Sequence, residues 1–153
     1  DFTKDEKKSQ MRGYILVYTY NFTDDMLKKT KAFAQEVNKP LVSVGFSHKW
    51  CNRQIATSPF GFLGLVGNAD FIITDTFHGT TFSILYRKHF GSFVRGKNKI
   101  RSLLKLLRLQ DRNIDSVDVL SSTLLQKIDY SKCNSALATE KKKSLDYIKD
   151  SLK

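Results

Sequence analysis

The apolar positions of this chain fall into short runs separated by amphipathic stretches. Tyr14-Ile15-Leu16-Val17-Tyr18 is a continuous run of strand length, and Leu41-Val42-Ser43-Val44 is a second. Between them Leu27, Thr30, Phe33, Ala34 and Val37 recur at helical spacing, which predicts a helix with one buried face. Thr23 stands at the N-cap position with Asp24 and Asp25 in the first turn, and Asn38-Lys39-Pro40 closes the segment; each matches the chemistry of a helix end. The order strand, helix, strand reads as a βαβ unit, expected to be parallel with a right-handed crossover.

The pattern then repeats. Ser58-Pro59 suits an N-cap followed by proline in the first helical position, opening a short helix that would turn Phe62, Leu63 and Val66 inward. Phe71-Ile72-Ile73 is a buried strand, bounded by Gly67-Asn68 before it and by polar Thr74-Asp75-Thr76 after it. A helix is expected from Thr80 to about Arg87, largely buried through Phe82, Ile84 and Leu85, followed by a strand over His89 to Val94. Ile100, Leu103, Leu104 and Leu107 recur at i, i+3, i+4 and i+7, opposite Arg101, Lys105 and Arg108, the mark of an amphipathic surface helix. Residues 112–128 are mixed, with Ser121-Ser122 as a helix start. Ser131 opens a last helix whose Leu137, Leu145, Ile148 and Leu152 are expected to dock on the sheet.

Phe46 to Pro59 has no periodicity and reads as a loop, with His48 and Arg53 as solvated residues rather than ligand contacts. Residues 1–12 are polar and charged and read as a leader or linker, leaving 13–153 as a single domain. The alternation of strands and helices predicts an α/β fold: a Rossmann-like three-layer domain with a mostly parallel sheet.

Composition changes this picture little. A chain of 153 residues, 41% hydrophobic and 12% aromatic, is long enough for one core without staples. Cys51 and Cys133 lie far apart and form no CxxC, so neither a disulfide framework nor a zinc site is indicated, and a reduced, cytoplasmic setting is expected. No apolar run has transmembrane length. The surplus of 26 Lys and Arg over 15 Asp and Glu, a net charge of +11, favours anionic partners such as phosphorylated metabolites, nucleic acid or an anionic membrane face. Much of it falls on helix faces that must be solvated, as at Lys28, Lys29, Lys31 and Lys141-Lys142-Lys143.

The chemistry concentrates in the stretch ADFIITDTFHGTTFSILYRKHF, from Ala69 to Phe90. His78 is placed between a strand's carboxyl end and a helix amino terminus, where open α/β sheets bind ligands and where free N–H groups favour an anion. Imidazole titrates near neutrality and so can accept and return a proton there. Gly79 would let the backbone turn or approach a ligand, while Asp75 and Thr76 also suit satisfying backbone groups at the turn.

This stretch resembles the signature segment of the polysaccharide pyruvyl transferase family, in which a strand ending in Thr-(Asn/Asp)-(Ser/Thr)-Phe-His-Gly-Thr leads into a helix beginning Phe-Ser-Ile. The likeness extends upstream through Phe60-Gly61-Phe62-Leu63-Gly64-Leu65-Val66 and downstream through Arg95-Gly96-Lys97-Asn98-Lys99-Ile100-Arg101 to Arg112. It departs at Lys99, where the family usually has arginine, and at His89, where it often has proline.

The resemblance implies transfer of a pyruvyl group from phosphoenolpyruvate to two sugar hydroxyls as a ketal in cell-surface polysaccharide biosynthesis, with no metal and no cofactor. His78 would be the catalytic proton shuttle. Thr76 and the amides of Gly79, Thr80 and Thr81, with Arg95, Lys97, Asn98 and Lys99, would bind the donor. It also implies one lobe of a glycosyltransferase-B-like enzyme, here the carboxyl-terminal one. The amino-terminal lobe and a sugar or lipid-linked oligosaccharide would be its partners, with peripheral association at the inner membrane face; this lobe alone would bind donor without turnover. Two other readings compete: a nucleotide-sugar glycosyltransferase lobe and a basic nucleic-acid-binding module. No helix-turn-helix, RNP-like aromatic pair or GXXG loop supports the latter, and nucleic acid is not expected as a partner.

Overall fold

The computed structural model describes residues 11–151. Five strands, β1 (Ile15–Tyr18), β2 (Leu41–Val44), β3 (Arg53–Ile55), β4 (Phe71–Thr74) and β5 (His89–Ser92), form one sheet in the order β3-β2-β1-β4-β5. Every pairing is parallel, and Ile15 sits level with Leu41 on one side and Phe71 on the other. The sheet is therefore wholly parallel, with β1 at its centre.

Helices cover both faces, which is why the strands read as unbroken apolar runs. Successive residues of β1 point to opposite sides. Ile15 and Val17 pack with Phe33 and Ala34 of α1 (Asp24–Glu36) and with Ile73, Ile114 and Leu124. Tyr14 and Leu16 pack with Leu65 and Val66 of α2 (Pro59–Asn68), Ile84 of α3 (Phe77–Leu85) and Ile100 and Leu104 of α4 (Asn98–Leu106). A 3-10 turn (Gln110–Arg112), the short α5 (Ser121–Leu124) and α6 (Tyr130–Ser151) complete the chain.

Thr23 caps α1 and Ser58 caps α2, each accepting a backbone N–H through its side chain, and Asn38 enters the left-handed region at φ 51° just past the end of α1.

Four expectations need correcting. The loop over 46–59 contains β3, a three-residue edge strand of Arg53, Gln54 and Ile55 paired only to β2. The inward face of α2 carries Leu65 and Val66, with Leu63 only half-buried. The helix after β4 begins at Phe77, not Thr80, because the Thr76 side chain already caps it, and its Leu85 is exposed rather than buried. In α6, Cys133 is buried and Tyr130 and Ala136 pack on the core, but Leu137 and Leu145 are exposed, so among the described side chains it is those at the start of this helix that dock. The side chain of Ile148, Leu152, and residues 1–10 of the expected leader lie outside the described residues.

Candidate active site at the carboxyl edge

Because all five strands run the same way, the segments leaving β1, β4 and β5 emerge at one edge. From β1 the strand order proceeds through β2 to β3 in one direction and through β4 to β5 in the other. The switch thus falls between β1 and β4, the place where the connections diverge to opposite faces and leave a crevice. A cavity of about 170 Å³ lies there. Asn21, Thr23, Asp25 and Met26 approach it from the β1–α1 connection, Asp75 from the end of β4, Phe93, Arg95 and Lys97 from the segment after β5, and Asp115 from further along.

Asp75 holds this edge together. Its carboxylate is buried and accepts the Tyr20 amide at 2.7 Å, the Asn21 amide at 3.3 Å and the Lys97 ammonium at 2.7 Å. Lys97 also donates to the Asp75 carbonyl and lies 5.9 Å from the centre of the Tyr20 ring. Charge-assisted hydrogen bonds of this kind are stronger than neutral ones. One side chain thereby fixes the loops after β1, β4 and β5 relative to one another.

The turn into α3 is equally well satisfied. Thr74 donates its hydroxyl to the Tyr18 carbonyl at 2.6 Å and accepts the Thr76 amide at 3.1 Å. Thr76 accepts the Gly79 amide at 2.8 Å, the Thr80 amide bonds the Thr76 carbonyl, and the Thr80 hydroxyl lies between that carbonyl and Ser92. The Thr81 hydroxyl donates to the Phe77 carbonyl at 2.9 Å.

His78, in contrast, sits in the first turn of α3 with an exposed side chain. Among the described residues its ring meets only that of Phe77, edge-on at 6.2 Å. The Phe77 and His78 amides occupy the first two helical positions, which have no partner within a helix. Helix α4 starts at the same edge, and Lys97 at its N-cap makes no side-chain capping bond. Two helix amino termini therefore face this edge with first-turn N–H groups that have no partner among the described residues, an arrangement that favours an anion.

The family model for polysaccharide pyruvyl transferase matches residues 3–96, more than half of the chain. The chain belongs to the polysaccharide pyruvyl transferase family. Searches among curated proteins and among solved structures found no match.

The matched span includes the switch point, the Thr74-to-Thr81 turn and Arg95, and stops before Lys97, Asn98 and Lys99. Within this family member the residues expected at the site, the catalytic His78 and those that would bind a donor, divide into two groups. His78, Arg95, Asn98 and Lys99 are exposed at the carboxyl edge. Thr76, Thr80 and Thr81 have their hydroxyls engaged with backbone groups, the Gly79 and Thr80 amides are engaged as well, and Lys97 is committed to Asp75. The amides without a helical partner at this turn are accordingly those of Phe77 and His78 rather than those of Gly79, Thr80 and Thr81, because the helix begins earlier than the glycine suggests.

His78 does not line the cavity, whereas Arg95 does. Thr23 and Asp25 were read from sequence only as helix-end chemistry, and Asn21 and Asp115 were not read as site residues, since only the strand order brings all four to one cavity. His48 is half-buried, not a solvated loop residue: its Nε2 lies 2.9 Å from the Thr19 hydroxyl and 3.0 Å from the Thr19 carbonyl, with the Phe22 and Trp50 rings beside it. Among the described residues no group of His, Cys, Asp and Glu could hold a metal ion, and no helix is long and apolar enough to cross a membrane.

Proposed function

We propose that this chain binds phosphoenolpyruvate at its carboxyl edge and serves as the donor-binding lobe of an enzyme that forms pyruvyl ketals on sugars. The observation that carries this reading is His78, exposed and free of other polar partners among the described residues, in the first turn of a helix at the ligand-binding edge of a family member.

The reaction fits these parts. Two sugar oxygens each bond to the donor's enol carbon while its bond to the phosphate oxygen breaks. Of the two hydroxyl protons released, one reaches the terminal carbon, which becomes a methyl group, and the other leaves with inorganic phosphate. His78 is the side chain placed to carry a proton between hydroxyl and enol carbon. The Phe77 and His78 amides and the Arg95 guanidinium meet the donor's anionic groups, arginine through two parallel hydrogen bonds. Lys99 meets them as a point charge without that fork.

Isothermal titration with phosphoenolpyruvate tests the reading. Heat of binding is expected for the unmodified chain, and both His78→Ala and Arg95→Ala are expected to weaken it about tenfold or more. Identical isotherms for all three proteins would rule this site out.

A further inference from the structure

The amino ends of the strands carry a second concentration of charge, at the edge of the sheet opposite the candidate active site. Leu41, Ile15, Phe71 and His89 stand level at the starts of β2, β1, β4 and β5, which brings together the residues leading into them. A cavity of about 360 Å³ lies there, and Lys39, Asp70, Phe71, Arg87, Lys88 and His89 line it. The length of β4, four residues or about 13 Å, separates the two edges.

Three cations of this lining, Lys39, Arg87 and Lys88, face one acid, Asp70. Lys39 neutralises that acid at 2.5 Å. The half-buried Lys88 ammonium donates to the Gly67 carbonyl at 2.7 Å, an uncharged partner that leaves its charge and its other N–H donors unspent. Burial accordingly lowers the Lys88 pKa, with Asp70 opposing, as befits a cation short of counter-charge. Arg87 is exposed, and its guanidinium makes no hydrogen bond or ion pair among the described residues. Helix ends draw in cations, but these side chains are not spent on closing one. The carbonyls of Phe82, Ser83 and Ile84 at the end of α3 already accept the backbone amides of Tyr86, Lys88 and Arg87 respectively. Arg87 also stands in the left-handed region at φ 52°, where glycine ordinarily ends a helix and any other side chain is strained. An arginine held there against local preference points to a use for its charge.

We propose that this amino-edge cavity is a second ligand site, taking a small phosphate monoester whose phosphate lies on Arg87 and Lys88 and whose organic body rests against Phe71 and His89. The Arg87 guanidinium offers the phosphate two parallel hydrogen bonds and the Lys88 ammonium a point charge. The wall for the body is fixed in place: the His89 Nδ1 lies 3.1 Å from the Leu124 carbonyl, and its ring meets that of Phe71 edge-on at 5.9 Å. At about 360 Å³ the cavity falls within the roughly 300–1,000 Å³ of small-molecule sites, with room for more than a bare phosphate. The site stands on its own lining and does not depend on the donor reading above.

Proton–nitrogen correlation NMR of the whole chain, titrated at constant ionic strength with glycerol phosphate, inorganic phosphate and uncharged glycerol, tests this residue by residue. Saturating shifts at the amides of Asp70, Arg87 and His89 are expected with glycerol phosphate, and none with glycerol. They are expected to persist in the His78→Ala, Arg95→Ala double variant, which removes the carboxyl-edge contacts. Arg87→Gly relieves the left-handed backbone and so keeps the fold; it is expected to weaken glycerol phosphate about tenfold, and Lys88→Met to weaken it likewise. Shifts confined to Phe77, His78 and Arg95, shifts that rise without saturating, or an affinity unchanged in Arg87→Gly would overturn the site. Tighter binding of inorganic phosphate than of glycerol phosphate would overturn the assignment to an ester. Phosphoenolpyruvate is itself such an ester, so its isotherm with Arg87→Gly reports the carboxyl edge alone: an absence of heat there defeats the donor reading and leaves the amino-edge site standing.

Discussion

The Asp75 carboxylate meets the Lys97 ammonium at 2.7 Å, the acid side chain 4% exposed and the lysine 34%. The two contribute unequally. Asp75 also receives the Tyr20 and Asn21 amides, so removing its charge unsettles three segments, whereas removing Lys97 leaves the carboxylate two backbone donors. Asp75→Asn is expected to cost about 1–3 kcal/mol, less than the roughly 3–5 kcal/mol of breaking a fully buried pair because Lys97 reaches solvent. Lys97→Met is expected to cost about 1 kcal/mol or less. Urea unfolding of both variants checks the order, and equal losses would show that the amide contacts hold nothing.

Gly79 is required by close packing rather than by backbone conformation. A Cβ added there would lie 2.2 Å from the Thr74 Oγ1 and 2.7 Å from the Thr76 Oγ1, and both oxygens are fixed by hydrogen bonds of their own. Gly79→Ala is expected to destabilise the chain by about 1–3 kcal/mol, the usual cost of overpacking. Thr74→Ser keeps the obstructing oxygen and is expected not to rescue it. A thermal midpoint for Gly79→Ala equal to that of the parent would refute this account.

These two residues also mark what a linear reading can see. The strands β1, β2 and β4 were legible because burial on both faces makes them continuous apolar runs, and the capping residues Thr23 and Ser58 because their role is local. β3 was not, since three residues on a sheet edge, two of them polar and exposed, carry no period. Gly79 read as a turn because glycine serves turns and tight helix contacts alike, and Thr76 was the better guide to the helix start. The cavity was invisible because its walls depend on strand order, in which Thr74 bonds to Tyr18 from 56 positions away. Arg112 was missed for a related reason: patterns count arginine as surface, yet its guanidinium is fully buried, donating to the Thr123 carbonyl at 2.7 Å and to Asp111 at 2.6 Å. His78 was singled out both from its place between a strand end and a helix start and from the family resemblance, because both are carried by local sequence alone.

His78 and Thr76 separate a binding role from a structural one. The exposed His78 makes no contact on which the fold depends, so His78→Ala is expected to shift stability by no more than about 0.5 kcal/mol. Thr76→Val removes the α3 cap and is expected to cost about 0.5–2 kcal/mol. If phosphoenolpyruvate affinity falls only in proportion to lost stability across the pair, His78 is not a ligand contact; a fall in His78→Ala at an unchanged melting midpoint places it in the site.

Alkaline pH is expected to weaken the fold through buried groups that resist losing a proton. Burial pushes the Cys51 thiol from its ordinary 9.0 up to about 12, against the opposing pull of Ser43 and Lys31. Burial also raises Cys133, Tyr14, Tyr18 and Tyr130. For each, the unfolded chain gives up its proton at lower pH than the folded one. The stability they contribute is whole below the unfolded value and is lost as pH climbs through the folded value. Lys88 acts in the opposite sense: desolvation lowers its pKa, so the unfolded chain holds the extra proton and stability rises with pH through that window. One lysine opposes two thiols and three phenols, and the net slope is downward. The urea midpoint is expected to stay level from about pH 7 to 8.5 and to fall steadily towards about pH 11, since free thiols begin to ionise near 8.5 and phenols near 10. Cys51→Ala is expected to flatten the first part of that decline, and a midpoint that holds constant or rises to pH 11 would contradict the burial of these groups.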